Sequence, residues 1–223
     1  LVLLERFFAI LGLKGRLRRC LEHLGAGKIF ARATLFLQLV LHLMLGFREL
    51  RDSDFYRDDP LVKWFLGLRR LPDVATLSRM LREADPKSIE KLRRLLREMV
   101  LHRLASLGLA RVTLDFDGSV QSTTRRAEGT AVGYNRKKKG ARSYYPLFCT
   151  IAQTAQVLDL LHRSGNVHDS HGAKQFMLAC IQAVRQVLPE AAIEVRMDAA
   201  FFSDEMVQAL DEAGVEFTIS VPF

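Results

Sequence analysis

Two segments carry an aspartate at the end of a short, β-branched apolar run: Val112-Thr-Leu-Asp-Phe-Asp117-Gly-Ser119 and Ile193-Glu-Val-Arg-Met-Asp198-Ala-Ala-Phe-Phe-Ser203. Such runs read as strands, and the acids stand where the strands stop. In α/β sheets reacting groups collect at strand ends, and two carboxylates converging there can hold divalent metal ions against a phosphodiester. Within the first run, strand alternation puts Asp115 and Asp117 on one face and Leu114 and Phe116 on the other. Three roles stay open for Asp115: ligating a metal, hydrogen-bonding beside the site, or simply accompanying it.

The stretch from Ser119 to Ser143 follows the first acid directly. It holds Arg125-Arg126 and runs on through Tyr134-Asn135-Arg136-Lys137-Lys138-Lys139-Gly140-Ala-Arg142 to Tyr144-Tyr145. Cations neutralise phosphates and tyrosine rings stack on bases or sugar edges. Arg125, Arg126, Tyr134, Arg136, Lys137, Lys138, Lys139 and Arg142 are therefore candidate DNA contacts, with a solvated charge run as the plain alternative. Other reactive residues point to less. His162, His168 and His171 lack a Cys partner and the spacing of a zinc site. Cys20, Cys149 and Cys180 show no Cys-x-x-Cys pattern and read as small buried apolar residues, which fits a reducing cytoplasm. Glu128, Asp169, Asp204 and Glu205 read as solvated or capping acids, and Asn166 as part of a turn near the active face.

These residues need a scaffold, and 223 residues with 49% hydrophobic content suffice for one large domain or two small ones. Periodicity predicts helices at 2–12, 29–47, 60–68, 75–84 and 86–107; the last shows Ile89, Leu92, Leu95, Leu96, Met99 and Val100 at three- and four-residue spacing. Trp64 with Phe65, Leu66 and Leu68 reads as helical core. After Gly108 the pattern turns to strands at 112–117, 144–153 and 157–162, the last two joined by a tight turn at Thr154-Ala-Gln156. A helix at 170–188, a strand at 192–197, a helix at 202–213 packed by Phe201 and Phe202, and a strand at 215–221 complete the series. The expected fold is α/β: a ribonuclease H-like mixed sheet in the order β-β-β-α-β-α-β, short of its final helix, over 109–223, preceded by an all-α domain over 1–108. In that sheet the first and fourth strands are parallel neighbours. Asp117 and Asp198 would then end side by side.

Charge is uneven along the chain. Residues 1–111 hold 22 Lys/Arg against 12 Asp/Glu, a balance of +10, whereas residues 112–223 hold 11 against 13, a balance of −2. Such an excess suits a polyanion, because Lys and Arg release condensed counterions from nucleic-acid phosphates; an Arg-rich soluble helical domain is the alternative. Leu71-Pro-Asp-Val-Ala-Thr-Leu-Ser-Arg-Met-Leu81 predicts a turn and a short helix with Thr76, Ser78, Arg79 and Arg82 among its polar positions. It could lie on DNA in helix-turn-helix fashion or pack as an ordinary amphipathic helix. Ile29 to Phe47 is about long enough to span a bilayer, but Arg32, Gln38 and His42 argue for a buried helix and no membrane partner. The N-terminal Leu-Val-Leu-Leu is broken by Glu5-Arg6, so no secretory signal is read and a cytoplasmic, nucleoid-associated place is expected. Leu at position 1 and a strand just finished at Phe223 suggest a piece of a longer protein.

Ordered blocks extend this reading. They are Gly46-Phe-Arg-Glu-Leu-Arg-Asp with Arg57-Asp-Asp-Pro60; Leu71-Pro-Asp-Val-Ala-Thr-Leu-Ser-Arg79; Asp115-Phe-Asp-Gly-Ser119; Gly133-Tyr-Asn-Arg-Lys-Lys-Lys-Gly140 with Ser143-Tyr-Tyr-Pro146; Arg163-Ser-Gly-Asn166; and Arg196-Met-Asp-Ala-Ala-Phe-Phe-Ser203. Together they resemble the bacterial insertion-sequence transposases of the DDE type, in the branch whose catalytic domain is called DDE transposase domain group 1. The resemblance implies cut-and-paste DNA transposition by three carboxylates that hold two Mg²⁺ (or Mn²⁺) ions, with Asp117 as the first acid and Asp198 as the second. The family's third acid lies on a helix after the last strand read here, so residues 1–223 alone are expected to cut little or not at all. The implied partners are double-stranded DNA, as terminal repeats and target, and a second copy in a transposition complex. A ribonuclease H-like nuclease or resolvase, and a DNA-binding fragment without catalysis, are the alternatives.

Overall fold

The computed structural model describes residues 1–27, 29–123, 127–133, 135 and 138–220. The chain divides into two compact units, Leu1–Leu95 and Leu96–Phe223.

The first unit holds α1 (Val2–Ile10), α2 (Leu13–Leu21), α3 (Arg32–Met44), α4 (Pro60–Leu66), α5 (Val74–Arg82) and the first turns of α6 (Pro86–Leu107), with 3-10 turns at Glu22–Leu24 and Leu50–Tyr56. The helix predicted over 2–12 stops at Ile10 because Gly12 takes a left-handed φ of 59° and starts α2, which periodicity had not shown. Glycine adopts that conformation without a Cβ clash. In α3 the apolar Leu35, Leu37 and Leu41 are buried together with Gln38 and His42. His42 Nε2 donates to the Glu49 carbonyl at 3.1 Å, which leaves Nδ1 to accept from the Tyr56 hydroxyl at 2.8 Å. No helix among the described residues is long and apolar enough to cross a membrane.

Caps set the shorter helices. Asp59 accepts from the backbone N–H of Leu61 and Val62 ahead of Pro60, and Gly67 closes α4 in the left-handed region. Val62, Phe65 and Leu66 are buried, but Trp64, predicted as core, is 53% exposed because it falls on the opposite side of this two-turn helix. Asp73 caps α5 through the Thr76 N–H at 2.7 Å. Leu77 and Met80 of α5 then pack with Leu35 of α3.

In the second unit β1 (Arg111–Gly118), β5 (Leu147–Ile151), β6 (Gln156–Leu161), β7 (Ala192–Met197) and β8 (Glu216–Ile219) form a sheet in the order β6-β5-β1-β7-β8. The β6-β5-β1 pairs are antiparallel and the β1-β7-β8 pairs parallel. With α7 (Ala173–Val187) before β7 and α8 (Asp204–Glu212) before β8, this is the predicted ribonuclease H-like order. A second, small sheet joins β2 (Gln121–Ser122), β4 (Arg142–Tyr144) and β3 (Ala131–Val132) within the polar stretch. The strand predicted over 144–153 is thus two strands broken at Pro146, which has no N–H for a ladder.

The core is built by alternation. Val112, Leu114 and Phe116 of β1, Leu147, Cys149 and Ile151 of β5, and Ile193, Val195 and Met197 of β7 pack with Phe176, Met177, Cys180, Ile181 and Val184 of α7. Val100 and Leu104, from the last turns of α6, join the same core. The compact units accordingly divide at 95/96, inside α6, whereas 108 is where helix gives way to strand. All three cysteines are buried.

Candidate functional site

β1 and β7 run side by side from Arg111 opposite Ala192 to Phe116 opposite Met197. Asp117 and Asp198 come next on each chain. On its other side β1 stays paired with β5, through Asp117 opposite Phe148 and Gly118 opposite Leu147. Asp117 is thereby held by β5 at the point where β7 departs. Asp198 caps the 3-10 turn Ala199–Phe201, accepting from the Ala200 N–H at 3.1 Å, and buried Phe201 anchors that turn in the core. Phe202, expected to pack beside it, is 46% exposed. An N-capping aspartate turns its carboxylate toward the N–H groups of the turn it opens.

Negative charge gathers here. Burial pushes the Asp117 carboxyl above its ordinary value, the neighbouring Asp198 carboxylate pushes it further, and Asp169 adds to this against one backbone hydrogen bond at Gly118. Like charges brought together disfavour ionisation unless a cation lies between them. Carboxylate oxygens are hard donors, suited to Mg²⁺ or Mn²⁺ rather than to soft metals. Among the described residues no group of three or more His, Cys, Asp or Glu side chains is arranged to hold a metal ion.

Asp115 has a different surrounding. It lies opposite Arg196 on β7, whose Nε and Nη2 donate to Oδ1 and Oδ2 at 2.6 and 2.9 Å. A planar guanidinium matches both oxygens of one carboxylate at once. Both oxygens of Asp115 are therefore engaged by a cation within the sheet.

Tyr145 and Asp169, the latter read from the sequence as a solvated or capping acid, meet near Asp117, and Arg163 holds them together. The Tyr145 hydroxyl donates to Asp169 Oδ1 at 2.5 Å. Arg163, only 4% exposed, donates from Nε to the Tyr145 carbonyl at 3.0 Å and from Nη1 to the Asp169 and His171 carbonyls at 2.7 and 3.2 Å. Burial and the Asp169 carboxylate hold the Tyr145 phenol well above its usual range. The signal for this cluster lay in the block Arg163-Ser-Gly-Asn166, an arginine at a strand end beside small residues. Its glycine is required: a Cβ on Gly165 would stand 2.3 Å from Ser143 Oγ, and one on Gly133 would meet the Gly165 carbonyl.

The basic stretch is divided. Arg125, Arg126, Tyr134, Arg136 and Lys137 lie outside the described residues. Lys138 and Lys139 are exposed. Arg142 donates from Nε to Thr130 Oγ1 at 3.0 Å and also bonds the Thr130 carbonyl, tying β4 to the preceding turn. Tyr144, read as a base-stacking residue, donates to the Glu128 carbonyl at 2.6 Å and packs its ring on His162. In the first unit Arg79 and Arg82 are exposed on α5, away from buried Leu77 and Met80.

The family described as transposase DDE domain group 1 matches residues 1–222. No curated protein matches the chain. Among solved structures, the piggyBac transposase synaptic complex with hairpin DNA is similar at 14% identity and a TM-score of 0.45, over 84% of this chain and 40% of that one. The Drosophila P element transposase strand transfer complex matches at 13% identity and 0.42, over 95% and 42%. The Mos1 transposase paired-end complex with left transposon end matches at 12% identity and 0.35, over 86% and 59%. The chain thus spans about half the length of these proteins.

Proposed function

Because this chain belongs to the transposase DDE domain group 1 family, we propose that it acts as a DNA transposase whose Asp117 and Asp198 hold divalent metal at the ends of β1 and β7. The observation that carries this is the emergence of the two acids from neighbouring parallel strands, one residue past their last matched pair. The donor set fits Mg²⁺ or Mn²⁺: hard carboxylate oxygens, with Asp117 disfavoured as an anion by burial and then by its neighbour until a cation arrives. When bound, such ions stabilise the attacking and leaving oxygens of an in-line displacement at a phosphodiester.

The chain's own residues do the positioning. Pairing with β5 holds the backbone of Asp117, the Ala200 N–H orients Asp198, and Arg196 keeps Asp115 engaged beside them. We assign Asp115 to this cross-strand pair rather than to the metal. Lys138 and Lys139, with Arg125, Arg126, Tyr134, Arg136, Lys137 and Arg142, make a basic stretch that follows Asp117 in the sequence and suits a DNA backbone. Arg79 and Arg82 on α5 offer a second contact, in a half of the chain with a balance of +10. The substrate is double-stranded DNA at the ends of a mobile element and at its target, engaged in the cytoplasm by a complex that pairs two copies of the protein.

The test is metal-dependent nicking at element ends by the protein expressed in its native gene context, with and without Asp117→Ala. Loss of nicking supports the assignment. Cleavage that survives the substitution contradicts it.

A further inference from the structure

Gly118 follows Asp117 at the end of β1, and it does not take the left-handed φ that would explain a glycine. The reason is space. A Cβ built on Gly118 would stand 2.5 Å from both Cζ and the hydroxyl oxygen of Tyr145, so the phenol ring lies directly against the peptide that follows Asp117. The next residue is anchored beside the same tyrosine: the Ser119 N–H donates to the carbonyl of Pro146 at 3.0 Å.

That ring is itself fixed from several sides. Its hydroxyl donates to Asp169 Oδ1 at 2.5 Å, and the Tyr145 N–H donates to the Arg163 carbonyl at 2.8 Å. Arg163 Nε returns a bond to the Tyr145 carbonyl at 3.0 Å, and the guanidinium carbon lies 5.0 Å from the ring centroid. The Arg163 Nη1 donates to the Asp169 carbonyl at 2.7 Å, so one buried residue secures both partners of the phenol–carboxylate bond. A side chain held this way is a wall for the end of β1.

We propose that Tyr145, tethered by Asp169 and clamped by Arg163, is a positioning residue that aims Asp117 toward Asp198. This rests on the reading of Asp117 and Asp198 as the metal-holding pair. Carboxylates that share an ion must be kept within about half an ångström of a productive arrangement, and locked neighbouring side chains supply that restraint. With the ring against Gly118, the peptide after Asp117 cannot turn away from β7. Asp169 acts through its hydrogen bond to the tyrosine, as an acceptor and not as a ligand.

Calorimetric titration of the purified chain with Mn²⁺, with melting temperature as the check on folding, tests this. Tyr145→Phe keeps the ring and removes the tether; Asp169→Ala removes the acceptor; Asp169→Asn removes the charge but keeps an oxygen that accepts from the hydroxyl. Tyr145→Phe and Asp169→Ala should each weaken Mn²⁺ binding about tenfold, the scale of lost outer-shell partners, and the double variant should be no worse than either alone. Asp169→Asn should bind nearly as the parent does. If Asp117→Asn loses affinity while Tyr145→Phe and Asp169→Ala bind like the parent, the positioning role falls and the metal pair stands. If Asp169→Asn is as damaging as Asp169→Ala, the charge of Asp169 acts directly and the tether role is overturned. If Asp117→Asn itself binds like the parent, the metal reading fails and the inference falls with it.

Discussion

Asp117 and Asp198 are the first residues past the last matched pair of the β1–β7 ladder, Phe116 and Met197. Everything proposed for the site depends on that register. A slip of one residue would carry Asp117 to the core face and Phe116 outward, since side chains alternate along a strand. Val112, Leu114 and Phe116 prevent it by packing inward beside Ile193, Val195 and Met197.

Leu114 is fully buried at the centre of β1. Leu114→Ala should destabilise the second unit by about 3 kcal/mol, the usual scale for a leucine removed from a close-packed core. Denaturant unfolding followed by a probe in that unit gives the value. A loss well under 1 kcal/mol would mean that this strand does not bind the core as described.

Asp115 separates two roles for a carboxylate on the same strand face. With both oxygens on Arg196, Asp115→Asn should leave Mn²⁺ affinity as in the parent. Calorimetry decides, and a loss equal to that of Asp117→Asn would make Asp115 a ligand.

The large sheet was legible because its strands are long enough to show alternation and its helices to show a period. Asp117 and Asp198 could be read from the same signal, a carboxylate closing an apolar run. The small sheet was not legible, since Gln121–Ser122 and Ala131–Val132 are too short for any alternation to register. Trp64 misled because a large aromatic suggests core, while its side of α4 faces away from Val62 and Leu66. Asp169 and Tyr145 were hidden for another reason. Their meeting is made by bonds from the Arg163 guanidinium to backbone carbonyls at 145, 169 and 171, and no residue spacing encodes such contacts.

Asp85 should make the first unit sensitive to acid. Hydrogen bonds from the Ser88 hydroxyl and N–H, followed by the His23 ring, hold its carboxyl well below the ordinary 3.8. A carboxyl depressed on folding adds stability that is fully present above its unfolded pKa and fades as pH falls through 3.8 toward the folded value. Asparagine still caps a helix, so Asp85→Asn isolates the charge. The stability gap between parent and variant should shrink as pH is lowered below 3.8, followed by circular dichroism. A gap independent of pH would contradict the assignment.

DNA binding should weaken steeply with salt, with a log–log slope of roughly −0.9 for each phosphate contacted. Replacing Arg136, Lys137, Lys138 and Lys139 by Ala should flatten that slope by about 0.9 per contact removed. Filter binding or fluorescence anisotropy across a salt series measures it. An unchanged slope would remove the basic stretch from the DNA interface.

The most direct measurement is the affinity of the chain for Mn²⁺ when one acid at a time is neutralised. Asp117→Asn and Asp198→Asn should each weaken binding by about tenfold or more, because each replaces a charged carboxylate ligand of the same ion by a neutral amide. Asp204→Asn, an exposed substitution in the first turn of α8, serves as the control and should bind as the parent does. Equal affinity in all three variants would contradict the proposal that Asp117 and Asp198 form a metal site.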